Sequence, residues 1–413
     1  MKFTPTLRRR GARTALGIAA AGMISASVLG GAPANADPKQ FSAFAGFGSD
    51  TTQDITNALA GNSNNISYLP IASSAATGST QITSWDAFGT TCITPKVGSA
   101  SINRPNGSSA GRKALSRAID GGTWGNGSCG ASATGKSVAG LIDFARSSAG
   151  PVAGDTGTAL TYIPMGLDAM SFAYYRSGGG AVTSLSRAQL IQMYTAGFLN
   201  VGGVRIVACG IQNNSGTKQF WQSGPLNAMS DTTEDAGTLE CNNATATTLP
   251  ENRIEENNPA SLKLKGDSAA MTNSALCPVA SPCQVVVGMS AGSFIAQTNG
   301  VSPNNTAVGV ALGAITDNGS GVNLGLPHTG TAPSLVPSAS FYADTTFGRT
   351  VYVVLDTAKA TGVGNGNLKS LFVGAGSTLC SAAAQTRINT FGFLTPTDCG
   401  STTLKGSLFA GNI

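Results

Sequence analysis

Charged residues are scarce in this sequence. Asp, Glu, Lys and Arg make up 11% of its 413 residues, well under the ~25% of an ordinary globular chain. His328 is the only histidine and no C-x-x-C pair occurs, which argues against zinc ligation, since structural zinc sites draw on such spacings. No apolar run reaches the roughly 20 residues that a membrane-spanning helix needs. A basic excess is missing too, once residues 1–36 are set apart. Five of the 25 Lys+Arg residues lie there (Lys2, Arg8, Arg9, Arg10 and Arg13), with no acid, so 25 less 5 leaves 20 basic against 20 acidic. A broad basic surface for nucleic acid is not expected. Nothing in the chain asks for a cofactor.

What is present begins with an export signal. The four arginines precede an uncharged, small and apolar stretch at 15–29, and Ala34-Asn35-Ala36 then supplies an A-x-A cleavage site before Asp37. That order predicts a secretory signal peptide over 1–36 and a mature chain that is secreted, extracellular or cell-wall associated. No cysteine lies near the cleavage site, so a lipoprotein anchor is not expected, and Arg8-Arg9 leaves both the general and the twin-arginine routes open. Gly, Ser, Thr, Ala and Asn fill the place of the missing charges. Disorder is excluded by apolar runs that recur at 160–163, 204–207, 284–287, 308–315 and 350–355. Eight cysteines in an exported chain predict disulfides. Spacing does not fix their pairing. Local pairing is the expectation: Cys92–Cys129, Cys209–Cys241, Cys277–Cys283 and Cys380–Cys399, each contributing ~2–4 kcal/mol.

Strand-like and helix-like stretches alternate, which predicts an α/β fold. Residues 41–47 lead into Gly48-Ser49-Asp50-Thr51-Thr52 and a helix. Residues 106–111 precede a second helix, and Asn214-Ser215-Gly216-Thr217 a third. Residues 141–148 read as a strand, 160–175 as two strand-like stretches, and Ser186-Arg187-Ala188-Gln189 as a capped helix start. The recurring device is a Gly/Ser/Thr turn between strand and helix. Such turns expose backbone N–H groups and hydroxyls, and three of them around one cleft would make an oxyanion cradle.

These turns resemble the phosphate-binding proteins of ABC transporters, within the type II periplasmic-binding-protein class. The resemblance runs from about residue 44 to about 400 through short motifs separated by insertions. The family's first phosphate loop is similar to Gly48-Ser49-Asp50-Thr51-Thr52, its second to Gly107-Ser108-Ser109, and its third to Asp143-Phe144-Ala145-Arg146-Ser147-Ser148. Its helix signature is similar to 185–196, its Gly-Ser-Gly-Thr loop to Asn214-Ser215-Gly216-Thr217, and a later strand to 288–295. The departures concern charge. Ser148 stands where the family has an acid that accepts the phosphate proton. Ile211 stands where it has an arginine, and Asn213 where it has the acid that steadies that arginine.

The resemblance implies a two-domain, type II periplasmic-binding-protein-like fold with a ligand cleft between the domains: residues 37–168 and 346–413 as one, 169–345 as the other. It implies a monomeric solute-binding protein without catalytic activity that captures phosphate or a similar small oxyanion. The partner would be an ABC transporter permease or the cell envelope. The expected ligand-binding residues are Ser49, Asp50, Thr51, Ser108, Arg146, Ser148, Ser215, Gly216 and Thr217, with Arg146 and Asp50 replacing the lost charged pair. One alternative is a cell-surface protein on the same fold that no longer serves transport. Another is a serine hydrolase using Ser290, since Gly288-Met289-Ser290-Ala291-Gly292 has the G-x-S-x-G form and Asp317 and His328 follow it.

Overall fold

A computed structural model of the chain describes residues 44–61 and 82–412, together with 73–74 and 79–80, except for 131–134, 245–252, 274, 279–281, 304–305, 307–308 and 363–365. The signal segment expected over 1–36 lies outside the described residues. Among the described residues no helix is long and apolar enough to cross a membrane.

The strands that matter for the site are Phe44–Gly48 (β1), Ile82–Ser84 (β2), Phe144–Ser147 (β3), Leu160–Arg176 (β4), Phe198–Val201 (β5), Val204–Ala208 (β6), Gln284–Ser290 (β7) and Gly348–Asp356 (β8). They lie in one large sheet in the order β5-β6-β7-β4-β8-β3-β1-β2. The helices between them include Gln53–Leu59 (α1), Gly107–Asp120 (α2), Arg187–Ala196 (α3), Gly216–Ser223 (α4), Pro259–Gly266 (α5) and Ala291–Thr298 (α6). The fold is α/β. Each of the three small-residue turns does lead into a helix: α1, α2 and α4.

Stretch 160–175, expected as two strands, is one strand of 17 residues with a bulge between Pro164 and Gly166. It stays continuous because it serves two neighbours in succession. Residues 160–169 pair antiparallel with β8, and residues 170–176 pair antiparallel with β7. Burial on both faces removes the alternating pattern that would have marked a single strand. The cores divide at the same place. One apolar cluster, including Phe172, Tyr194, Trp221 and Phe347, draws on residues 169–347. Two others, around Phe144, Phe372 and Phe393 and around Phe47, Trp124 and Tyr162, draw almost wholly on residues before 166 and after 350.

The strand expected over 141–148 is confined to Phe144–Ser147, because the Asp143 carboxylate accepts the Ala45 N–H at 2.9 Å and ends the ladder. The capped start of α3 forms as its spacing predicts. Gln189 N–H donates to Ser186 Oγ (3.2 Å), and Ser186 N–H to Gln189 Oε1 (2.8 Å). All four expected disulfides are present, Cys92–Cys129, Cys209–Cys241, Cys277–Cys283 and Cys380–Cys399.

β1 runs parallel to β2 and β3, and β6 runs parallel to β7. The carboxyl ends of these strands release residues 48–52, 147–148, 209–217 and 290–293 toward one region. In α/β sheets this is where ligands bind, because helix starts and loop amides converge there.

Candidate functional site

Gly48 opens the first turn with φ +118, and a Cβ there would meet the Arg146 carbonyl at 2.5 Å. Only glycine allows that backbone and that approach. The loop then turns its donors inward. Ser49, Asp50 and Thr51 are all buried. From the facing loop come Ser215, Gly216 and Thr217, and from two further segments Ser108 and Ser148. A Cβ on Gly216 would lie 2.4 Å from Ser108 Oγ and 2.6 Å from Ser148 Oγ, so glycine lets these segments close on one another. Ser109 N–H also donates to the Asn214 carbonyl at 2.9 Å.

The hydroxyls form a chain. Thr51 Oγ1 lies 3.0 Å from Thr217 Oγ1, Thr217 Oγ1 lies 3.5 Å from Ser148 Oγ, and Ser148 Oγ lies 3.2 Å from Ser108 Oγ. Ser148 N–H donates to Ser108 Oγ at 3.1 Å. Seven of the nine expected residues come together around one point; Asp50, whose carboxyl meets Gln212, and Arg146 are the exceptions.

The occupant of that point was not expected. The Glu256 side chain, 3% exposed, reaches into the donors. Its Oε1 accepts from Thr51 N–H (3.0 Å), Thr51 Oγ1 (2.9 Å) and Ser49 Oγ (3.4 Å). Its Oε2 accepts from Ser215 Oγ and from Thr217 N–H (3.3 Å). A carboxylate only accepts, so the Thr51 proton goes to Glu256 and Thr217 donates to Thr51. Two anchors hold the segment that carries Glu256. Ile254 N–H donates to Gly210 O (2.8 Å) and Gln212 N–H to Ile254 O (2.9 Å). Arg253 pairs with Glu234 at 3.2 Å, and Lys218, in the first turn of α4, reaches the same Glu234 at 3.4 Å.

A second charged pair borders the hydroxyls. Arg349, on β8, donates from Nε (3.0 Å) and Nη2 (2.8 Å) to Asp168 Oδ2, on β4. The same Nη2 reaches Thr217 Oγ1 at 3.0 Å and Thr51 Oγ1 at 3.5 Å. Asp168 Oδ1 accepts from Ser290 Oγ and Gly292 N–H, each at 3.0 Å. Both partners of this pair are buried, and among the described residues Arg349 Nη1 is a buried donor with no acceptor.

Arg146 has another task. Its guanidinium donates to Ser84 Oγ (2.7 Å), Gly48 O (3.2 Å) and Ser49 O (3.2 Å), on the far side of the loop. Burial pulls its pKa down to about 10, against the opposing pull of Asp86, Asp50 and Asp54. The cation next to the hydroxyls is Arg349 instead. Asp50 accepts from Gln212 Nε2 at 2.9 Å. Burial first, then the charges of Glu256 and Glu255, push its carboxyl well above the ordinary 3.8.

Ser290 has ordinary extended backbone (φ −62, ψ 127), not the strained elbow of a nucleophile. Its hydroxyl donates to Asp168 and accepts Ser293 N–H at 3.1 Å, capping α6. His328 stacks on Phe294, ring centroids 6.2 Å apart, and burial lowers its pKa. Asp317 Oδ1 accepts from Gly319 and Gly321 N–H groups, at 2.8 and 3.0 Å. Ile211 and Asn213 also have structural tasks. The Ile211 carbonyl accepts from Arg253 and Asn213 Oδ1 from Lys218, at 3.2 and 3.4 Å. Among the described residues no group of three His, Cys, Asp or Glu side chains could hold a metal ion.

Sequence reasoning missed Glu256, Arg349 and Asp168. A signal was available for two of them. Asp168 interrupts a long apolar stretch, and Arg349 immediately precedes one. In a chain with few charges, an ionic residue inside a buried strand needs a partner.

No protein-family model matches the chain, and no curated protein matches it. Solved structures do. The chain is similar to an ABC-type phosphate transport receptor from Vibrio cholerae at 15% identity, over 86% of this chain and 100% of that one, with a TM-score of 0.46. It is similar to a phosphate ABC transporter substrate-binding protein from Clostridium perfringens at 12% identity, over 86% and 99%, with a TM-score of 0.44. It is also similar to a phosphate-binding protein from Stenotrophomonas maltophilia at 14% identity, over 87% and 92%, with a TM-score of 0.39.

Proposed function

We propose that this chain is an exported solute-binding protein of the type II periplasmic-binding-protein kind, whose cleft recognises phosphate or a similar small oxyanion. One observation carries the reading. Ser49, Thr51, Ser215 and Thr217, from two loops far apart in sequence, aim hydroxyl and amide donors at the two oxygens of one buried carboxylate. A carboxylate is itself an oxyanion, so this donor set is of the kind that would hold a phosphate. Ser108 and Ser148 extend the hydroxyl chain, and Arg349, held by Asp168, adds the positive charge beside it.

In this reading residues 37–168 with 346–413 form one domain and 169–345 the other. β4 and β8 are the crossings, and a hinge between the domains admits the ligand. The partner is a permease or the envelope. The test is calorimetric titration of the mature chain and of Thr217→Val with phosphate after unfolding and refolding, with sulfate and a neutral sugar as controls. Saturable phosphate binding that Thr217→Val weakens at least ~10-fold, as loss of a charge-assisted hydrogen bond should, supports the reading. Folded protein that takes none of the three, even with residue 256 truncated, overturns it.

One observation favours a second reading, a surface protein on the same fold. The donors already have an acceptor from the chain itself.

A further inference from the structure

We infer that Glu256 is a built-in ligand of the cradle, and that free phosphate binds only by displacing it. This inference rests on the reading of the cradle as an oxyanion site.

Burial has a cost on each side of this contact. A buried carboxylate needs charge-assisted donors, and buried N–H and O–H groups need an acceptor. Glu256 and the 48–52 and 215–217 loops answer one another: five donors fall on its two oxygens. The segments around it are closed together, with Ser109 N–H on Asn214 O and Gly216 against Ser108 and Ser148. A free oxyanion cannot share the place. It would meet the Glu256 charge at contact, in surroundings that strengthen repulsion.

Displacement asks little of the main chain. The anchors act at Arg253 and Ile254, three and two residues before Glu256. Rotation of the Glu256 side chain can therefore withdraw the carboxylate while the backbone stays fixed. Arg349 Nη1, buried and without an acceptor among the described residues, is a spare donor for an anion larger than a carboxylate. The competition is intramolecular, so the self-occupied form weakens free ligand by the fraction of open form. At 1% open, apparent affinity falls about 100-fold.

The experiment is calorimetric titration of inorganic phosphate into the full mature wild-type chain, Glu256→Ala and Glu256→Gln, each checked for a cooperative thermal transition. Glu256→Ala should bind phosphate at least ~100-fold more tightly than wild type. Glu256→Gln should gain much less, because its amide still fills the space. Adding Thr217→Val to Glu256→Ala should reverse the gain. Micromolar binding by the wild type, no tighter in Glu256→Ala, would overturn the built-in ligand and leave the oxyanion reading standing. Folded wild type and Glu256→Ala that both ignore phosphate would overturn the oxyanion reading, and this inference with it. If Glu256→Ala does not fold, Glu256→Asp takes its place, since its shorter side chain withdraws the carboxylate from the donors: phosphate binding tighter than wild type supports the inference, and binding no tighter overturns it.

Discussion

Two buried charges hold the loop at residues 48–52 from opposite sides. Glu256 takes its donors: the Thr51 N–H and the hydroxyls of Ser49 and Thr51. Arg146 takes its acceptors: the carbonyls of Gly48 and Ser49. One short turn thus solvates an anion through Ser49 and Thr51 and a cation through Gly48 and Ser49. Each peptide unit carries one donor and one acceptor that point apart, so a sharp turn sorts them by face. A motif rich in Gly, Ser and Thr therefore does not by itself say which sign of charge it will meet. Arg146 lies within one of the motifs and supports the loop from behind, whereas Glu256 lies outside all of them and occupies the centre.

The largest test of this contrast is Arg146→Ala. It leaves the carbonyls of Gly48 and Ser49 and the Ser84 hydroxyl without their donor, and removes a positive charge that acts on Asp50, Asp54 and Asp86. The expected cost is about 3–5 kcal/mol, as when several buried hydrogen bonds to a charged group are lost together, read as a lower urea midpoint with unchanged slope. A loss below about 1 kcal/mol would mean that the loop does not depend on its rear contact.

Glu256→Ala should cost less, about 1–3 kcal/mol for the donors left unpaired. It should also respond to ligand. Saturating phosphate should raise the melting temperature of Glu256→Ala more than that of wild type, by the linkage of binding to folding. Equal shifts would erase the distinction between the two faces.

A third effect, modest per pH unit, concerns pH. Burial, then Asp86, raises the Asp54 pKa from the ordinary 3.8 to about 7. The folded state therefore holds this proton longer than the unfolded state does. The associated stability is present below about pH 3.8 and is lost as the pH rises to about 7, with a slope of at most ~1.4 kcal/mol per pH unit. Urea titrations across this window should show a shallower decline in Asp54→Asn than in wild type. Asp50, raised in the same direction, adds to the wild-type slope. A wild-type stability that rises through the window and is unchanged in Asp54→Asn would contradict the assignment.

The smallest expected effect is that of Ser290→Ala. Losing the cap of α6 and one bond to Asp168 should cost about 1 kcal/mol and leave phosphate binding within a few-fold. Labelling of Ser290 by a fluorophosphonate probe would instead restore a nucleophilic role.

The α/β class was legible because it depends on local signals. Apolar runs at 204–207, 284–287 and 350–355 mark strands, and Ser186 with Gln189 marks a helix start. Where two faces are buried, as in β4, the pattern merged and one strand read as two. Local pairing predicted all four disulfides, the closest of them joining Cys277 and Cys283 across a separation of six. At the site, the donors were legible and the charges were not. Ser49, Thr51, Ser215 and Thr217 sit in turns whose chemistry is written in neighbouring residues. Glu256 faces Thr51 across 205 positions of sequence, and Arg349 faces Asp168 across 181.

The sequence alone determined which segments would present free amides and hydroxyls, because glycine, serine and threonine before a helix dictate this within a few residues. Only the tertiary structure decided which charge those donors would meet. That choice depended on the pairing of β4 with β8 and on the tacking of Ile254 between Gly210 and Gln212. Contacts of that range are set by the packing of the whole sheet, and no local spacing encodes them.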